Sequence, residues 1–386
     1  MDARGIHMRI AQVAPLHESV PPKLYGGTER IVSYLTEALV ELGHDVTLYA
    51  SGDSRTKARL RPMCEGALRL DEGSVDPIAD HVYLAERVFQ DAEEFDLVHS
   101  HLDYLAFPLL RRMGTPRVTT LHGRLDIPNL RKLYREFADE PLVSISNHQR
   151  LPLSWAGWQA TVYHGLPEGL HSFHEQRGKY LAFLGRISPE KRVDHAIEVA
   201  RGSGLPLKIA AKVDKADADY FDSTIKPLLK HADVEFIGEI GEAEKDDFLG
   251  NALALVFLID WPEPFGLAMI EALACGTPVI ARSRGSVPEV IEDGTTGFVI
   301  QDVEDAVKAV ANISRLSRKR CRRAFEQRFT STRMAKDYIA VYEQLIQIRR
   351  TRRKAGLKAS KKGGPKTKFQ RNGLAKPRGQ ALFSHE

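Results

Sequence analysis

The stretch Asp260–Ala281, DWPEPFGLAMIEALACGTPVIA, sets two carboxylates, Glu263 and Glu271, on either side of a helix start. Glu263 lies in a Pro-Glu-Pro turn. Pro264, Phe265, Gly266 and Leu267 follow an apolar strand and open a helix that runs through Met269 and Ala272. The first N–H groups of a helix lack internal partners and favour an anion, so Phe265, Gly266 and Leu267 suit a phosphate. Leu267 and Glu271 share a helix face, which aims Glu271 along the same ligand from one turn further in. A carboxylate that accepts from a ribose diol is a recurrent way to hold a nucleotide. Glu263, outside the helix, is placed to accept from sugar hydroxyls instead. The competing interpretation, that both acids complement the helix dipole, leaves the apolar surroundings and the glycine after Phe265 unexplained.

A second stretch, LGRISPEKRVDH (184–195), carries two cations. Ser188 suits an N-cap and Pro189 a first helical position, which places Arg186 just before the helix mouth and Lys191 in its first turn. A helix start prefers acids, so two cations there fit a bound phosphate on which all donors converge. The plainer alternative is a solvated pair balanced by Glu190. In YGGTER (25–30), Gly26 and Gly27 let the backbone come close to a ligand at another helix start. The spacing is not the G-x-G-x-x-G dinucleotide fingerprint, and a simple strand–helix turn with Thr28 near the cap explains it equally well.

Histidines and acids cluster at other strand ends. In VHSHLDY (98–104), His99 and His101 are spaced like metal ligands on one strand face, but no third ligand follows nearby. His101, Asp103 and Tyr104 are candidates to line a second-substrate side, as are Asp126 and Asn129 in HGRLDIPN. His164 precedes the expected interdomain linker.

Positioning these groups requires a regular scaffold. Short apolar runs at 9–14, 45–50, 96–101, 117–122, 142–147 and 161–165 alternate with helical patterns, and a second set follows at 180–185, 207–213, 234–239, 252–259, 277–282 and 297–301. Such alternation predicts parallel βαβ units, with helices covering both faces of each sheet. Ile31, Leu35, Leu39 and Leu42 form a helical stripe stopped by Gly43, and 313–329 and 331–347 predict two more helices. The fold class is therefore α/β, with two doubly wound domains and a boundary near Leu166–Arg177. Ligands of such sheets bind beyond the carboxyl ends of the strands, here in a cleft between the domains.

Composition agrees with a globular chain: 386 residues, 43% hydrophobic and 27% charged. The longest apolar run, ALALVFLI (252–259), is too short to span a membrane, and the N-terminus has no secretory h-region. Three unpaired-looking cysteines, Cys64, Cys275 and Cys321, favour a reducing, cytoplasmic setting. Residues 349–386 hold thirteen Lys/Arg and one acid, leaving 42 basic and 50 acidic residues in the body. This tail is expected to be disordered, either a solubilising extension or a contact for anionic lipid or nucleic acid, with peripheral membrane association as the corollary.

EPFGLAMIEA, continued by CGTPVIARSRGSVPEVIEDGTTGF, resembles the donor-site signature of retaining glycosyltransferase family 4, the group that includes glycogen synthases and mannosyltransferases. GRISPEK and YGGTER stand in that family's order, and the resemblance spans roughly residues 8–347; the IDW before Pro262 falls outside the general pattern. It implies a GT-B fold. Residues 1–166 would be an N-terminal acceptor domain, 167–330 a nucleotide-sugar donor domain, and 331–348 a helix crossing back. It implies that Arg186 and Lys191 bind the donor diphosphate, Glu271 the ribose, and Glu263 the sugar near its reacting carbon. His122 of LHG (121–123) would touch the sugar, and Gly26 and Gly27 would line the phosphate or acceptor side.

The expected activity is hexosyl transfer, with retention, from a nucleoside-diphosphate sugar to a carbohydrate, lipid-linked or small-molecule acceptor. The base is expected near Ile237–Ile240. No metal is expected, since the two cations supply the positive charge, and the Asp217-x-Asp219 pattern in DADY, which resembles that of metal-dependent glycosyltransferases of another fold, is read instead as a helix start, where acids are welcome. A nucleotide-sugar epimerase of the same architecture and a non-catalytic sugar-nucleotide-binding protein are the alternatives.

Overall fold

The computed structural model describes residues 6–24, 26–70, 76–230 and 233–362. Their strands form two all-parallel sheets. The first contains β1 (Arg9–Val13), β2 (Asp45–Ala50), β3 (Arg59–Pro62), β4 (Leu97–Ser100), β5 (Arg117–Thr120), β6 (Leu142–Ser144) and β7 (Trp158–Thr161), in the order β3-β2-β1-β4-β5-β6-β7. The second contains β8 (Tyr180–Ile187), β9 (Leu207–Val213), β10 (Val234–Gly238), β11 (Ala252–Phe257), β12 (Val279–Arg282) and β13 (Gly297–Ile300), in the order β10-β9-β8-β11-β12-β13. Both orders reverse direction beside the first strand of the sheet, which is the doubly wound pattern that opens a crevice at the strand ends.

Helices cover both faces, so the central strands are apolar on both: every residue of β4 is buried, and only the first of β2 is exposed. Helix Gly27–Glu41 buries Ile31, Leu35 and Leu39 under the first sheet, while Leu42, at its end, is 38% exposed. The helix stops where Gly43 adopts φ +89°.

Four expectations need correction. β3 was missed because RLRP has no apolar run; two arginines and a proline suit an edge strand. The strand expected at 161–165 lies at Trp158–Thr161, since Gly165 and Leu166 leave the sheet to meet Phe329, Thr330 and Ser331. The helix expected at 313–329 is a 3₁₀ turn, Ile313–Arg315, followed by Arg318–Arg328. The last helix does not end at 348: it spans Ser331–Lys362, because the Arg, Lys, Ala and Leu of the basic segment are good helix formers. The rest of the tail, 363–386, lies outside the described residues.

The first half of this last helix crosses back to the first sheet. Tyr338 and Tyr342 are fully buried, and their hydroxyls bond to Thr120 and to Gln12 and His99 on β5, β1 and β4.

Candidate active site

The loops at the carboxyl ends of β1, β4 and β5 face those after β8, β9, β10 and β11 across a cavity of about 540 Å³. Gly26, Gly27, His101, Asp103, His122, Arg186, Lys191, Glu263, Phe265, Gly266, Leu267 and Glu271 all line it. Tyr104 and Asp126 do not: Tyr104 packs edge-on to Tyr134. Asp126 accepts from Nε and Nη2 of Arg124, which itself lines the cavity. Tyr25 lies outside the described residues.

The helix after β11 starts as expected, at Leu267, with Gly266 as its N-cap at φ +82°. Glycine is required there. A Cβ would sit 2.8 Å from Met269 and 3.0 Å from Phe257 as well as in the left-handed region. Glu271 is 3% exposed and accepts from Lys245 Nζ at 2.7 Å. Burial alone would raise its carboxyl, but Lys245, His171 and Arg30 outweigh that and hold it below its ordinary value.

The cation pair is built differently from the expectation. Ser188 makes no side-chain cap. Pro189–Lys191 is a separate 3₁₀ turn, and the helix Val193–Ser203 begins only after Arg192, at φ +52°. Lys191 therefore stands ahead of the helix rather than in its first turn, and its ammonium reaches Glu263 Oε2 at 2.7 Å. Arg186, the penultimate residue of β8, donates to Glu190 at 2.9 Å, and has Asp214 at 3.6 Å and Asp217 at 3.8 Å. Asp217 of the D-x-D pattern thus stands beside Arg186, in the turn Lys215–Asp217.

Trp261, from the IDW outside the family pattern, donates its indole N–H to the same Glu263 oxygen at 2.8 Å. Its ring lies 5.0 Å from Lys191 Nζ and 5.2 Å from the Arg124 guanidinium. Sequence reasoning missed this residue, as well as Lys245 and Glu29. Lys245 sits in an otherwise acidic helix, Glu242–Gly250, with no apolar stripe to betray which face is buried. Glu29 reads as an ordinary first-turn acid, yet it lines the cavity and burial raises its carboxyl to about 7.

On the opposite wall the histidines form a hydrogen-bonded string rather than a metal site. His99 binds Tyr342 and Thr120, each at 2.7 Å, which occupies both of its ring nitrogens. Gln12 Nε2 donates to Tyr342 at 3.2 Å, so Gln12 Oε1 accepts from His101 Nε2–H at 2.9 Å. His101 Nδ1 must then accept from His122 Nε2–H at 2.8 Å. His122 is left with a bare Nδ1 that no described group pairs. Burial keeps the string neutral, lowering His99, His101 and His164 far below the ordinary imidazole value and His122 to about 3. His164 stacks on His122 at 5.3 Å and meets Phe265, just ahead of the Leu267 helix start, at 4.9 Å.

Asp103 sits at φ +48° after β4, and burial raises its carboxyl to about 6 while the His122 backbone N–H lowers it. Among the stretch expected to hold a base, Glu239 and Ile240 line the cavity and Ile237 is 42% exposed.

Two facing Rossmann-like domains, bridged by a returning helix and lined by cations and carboxylates around a helix start, define the GT-B architecture of a glycosyltransferase. Residues 171–329 match the family described as glycosyl transferases group 1, and 25–197 match glycosyltransferase family 4. Spore coat protein SA of Bacillus subtilis is 38% identical over 397 residues, covering 87% of this chain and 100% of that protein. D-inositol 3-phosphate glycosyltransferase of Streptomyces avermitilis is 24% identical, covering 79% and 78%. The structure of Anabaena HepE in complex with UDP and glucose shares the fold, with TM-score 0.67 and 18% identity, over 88% of this chain and 100% of that one. The chain belongs to the group 1 glycosyltransferases of family 4.

Proposed function

We propose that this glycosyltransferase moves a hexosyl group from a nucleoside-diphosphate sugar to a hydroxyl acceptor, with retention at the anomeric carbon and without a metal ion. The observation that carries the proposal is the convergence of Arg186, Lys191, Glu263, Glu271 and the Gly266–Leu267 helix start on one cavity. The UDP and glucose bound to HepE, and the glycosyltransferase name of the Streptomyces relative, support a nucleotide-sugar donor.

In this scheme Arg186, Lys191 and the first N–H groups of the helix hold the diphosphate and take up its growing negative charge. Glu271 accepts from the ribose, and Glu263, held by Lys191 and Trp261, accepts from the sugar. The bond from the anomeric carbon to the phosphate oxygen breaks as the acceptor oxygen bonds to that carbon from the same face. The acceptor proton passes to the departing phosphate. His122 offers its bare Nδ1 to a sugar hydroxyl.

The acceptor, whether carbohydrate, lipid-linked or small molecule, enters between His101, Asp103 and Arg124. No described helix is long and apolar enough to cross a membrane. The basic C-terminal segment is assigned to weak contact with an anionic lipid surface or nucleic acid, consistent with a cytoplasmic protein peripheral to a membrane.

The test is nucleotide release from UDP-, GDP- and ADP-sugars in EDTA, wild type beside Glu263→Ala. Release of one nucleotide, lost in the variant, supports the scheme and names the donor. Conversion of the sugar without its release moves the protein to the epimerases.

A further inference from the structure

Behind Glu271, outside the cavity wall, His171, Asp246 and Cys275 bring an imidazole, a carboxylate and a thiol together from three segments. His171 lies in the connection between β7 and β8, Asp246 in helix Glu242–Gly250, and Cys275 at the end of helix Leu267–Ala274. One ligand atom from each lies within 4.8 Å of the others. His171 Nδ1 and Cys275 Sγ are both 3.8 Å from the same oxygen, Asp246 Oδ1. Tetrahedral zinc with N, O and S ligands has ligand–ligand edges of about 3.3–3.6 Å, a few tenths of an ångström below the two 3.8 Å separations at Asp246 Oδ1.

An independent observation points to a bound cation. His171 is 2% exposed, yet neither ring nitrogen has a hydrogen-bond partner. One nitrogen faces Asp246; the other, Nε2, faces Glu242 Oε1 at 3.6 Å, and that buried oxygen is also without a partner. A neutral imidazole left this way loses hydrogen bonds on both edges, which is costly at such burial. A cation on Nδ1 fixes the proton on Nε2 and directs it at Glu242, giving the carboxylate–histidine–metal arrangement that orients metal-bound imidazoles. His174 Nε2, whose nitrogen is also buried and unpartnered, stands 3.6 Å from the second Asp246 oxygen.

We propose that His171, Asp246 and Cys275 bind a zinc-type divalent cation that ties the interdomain connection to the two helices behind the nucleotide side of the cleft. Binding converts the Cys275 thiol to a thiolate, its proton leaves to the buffer, and thiolate plus carboxylate balance the ion's charge. Nothing in this assignment rests on the reaction, because none of the three residues lines the cavity.

The experiment is titration of the chelator-treated full chain with zinc against a chromogenic chelator, repeated with cobalt. One equivalent per chain and a thiolate-to-cobalt charge-transfer band are expected. Cys275→Ser removes the band, and Cys275→Ser and His171→Ala each weaken zinc affinity at least tenfold. Glu242→Ala weakens it by about 10-fold through the lost acceptor for His171 Nε2–H, and Cys64→Ser leaves it unchanged. Zinc also raises the melting temperature of the wild type. A wild type without the cobalt band, or stoichiometric binding that survives both ligand substitutions, overturns the assignment even if a variant folds poorly.

Discussion

Lys191 Nζ lies 2.7 Å from Glu263 Oε2, joining a cation from the turn after β8 to a carboxylate from the loop after β11. Both side chains are largely shielded, at 17% and 12% exposure, so the contact is a constrained pair rather than a loose surface bridge. Trp261 holds the same oxygen, which fixes the carboxylate at the cavity wall. Lys191→Ala is therefore expected to lower nucleotide release on the order of 100-fold or more, the usual cost of losing one preorganised donor. Near-normal turnover in that variant would remove Lys191 from the proposed diphosphate site.

Lys245 and Glu271 form the second such pair, with side-chain exposures of 12% and 4%. Removing one partner of a buried pair leaves an uncompensated charge, so Lys245→Met is expected to lose about 3–5 kcal/mol of stability in urea unfolding. Because the Glu271 carboxyl is held below its ordinary value, this stabilisation is present near neutral pH and fades on acidification through its folded value. A variant as stable as wild type at pH 7 would show that the pair contributes nothing net.

Glu29 has the opposite sign. Its carboxyl, raised by burial to about 7, keeps its proton in the folded protein where the unfolded chain has already released it. Stability should therefore fall as pH rises from about 4.5 to about 7 and level off above, by roughly 3 kcal/mol for this group alone. Glu29→Gln should flatten that slope. Urea midpoints at pH 5 and pH 8 provide the comparison, and an equal slope in the variant assigns the pH dependence elsewhere.

Gln12 links Tyr342 of the returning helix to His101, and through it to His122. Gln12→Leu strands two buried partners at about 1–3 kcal/mol each and frees His122 to adopt the other tautomer. Both stability and turnover are expected to fall. Tyr342→Phe removes only the far hydroxyl and should lower stability with little loss of turnover. Wild-type turnover in Gln12→Leu would show that His122 does not depend on the string.

Much of the scaffold was legible locally. Apolar runs alternating with helical stripes specify doubly wound sheets wherever strands are buried on both faces, as β2 and β4 are. The motif from Pro262 to Cys275 also carries its own geometry, because Gly266 is needed at φ +82° and the helix start follows from it. Edge strand β3 was illegible because an edge needs no continuous apolar run. The helix through 349–362 was missed because composition was weighed there and helix propensity was not.

What the sequence alone determined is therefore the α/β architecture, the strand-end loops that carry the chemistry, and the residue types in them. Their pairing was decided only in three dimensions. Lys191 meets Glu263 across 72 positions, Lys245 meets Glu271 across 26, and Gln12 meets Tyr342 across 330. No local periodicity encodes such contacts. They arise because parallel strands bring loops distant in sequence to one edge of a sheet, and because burial there makes each charge or imidazole take whichever partner lies within hydrogen-bond reach.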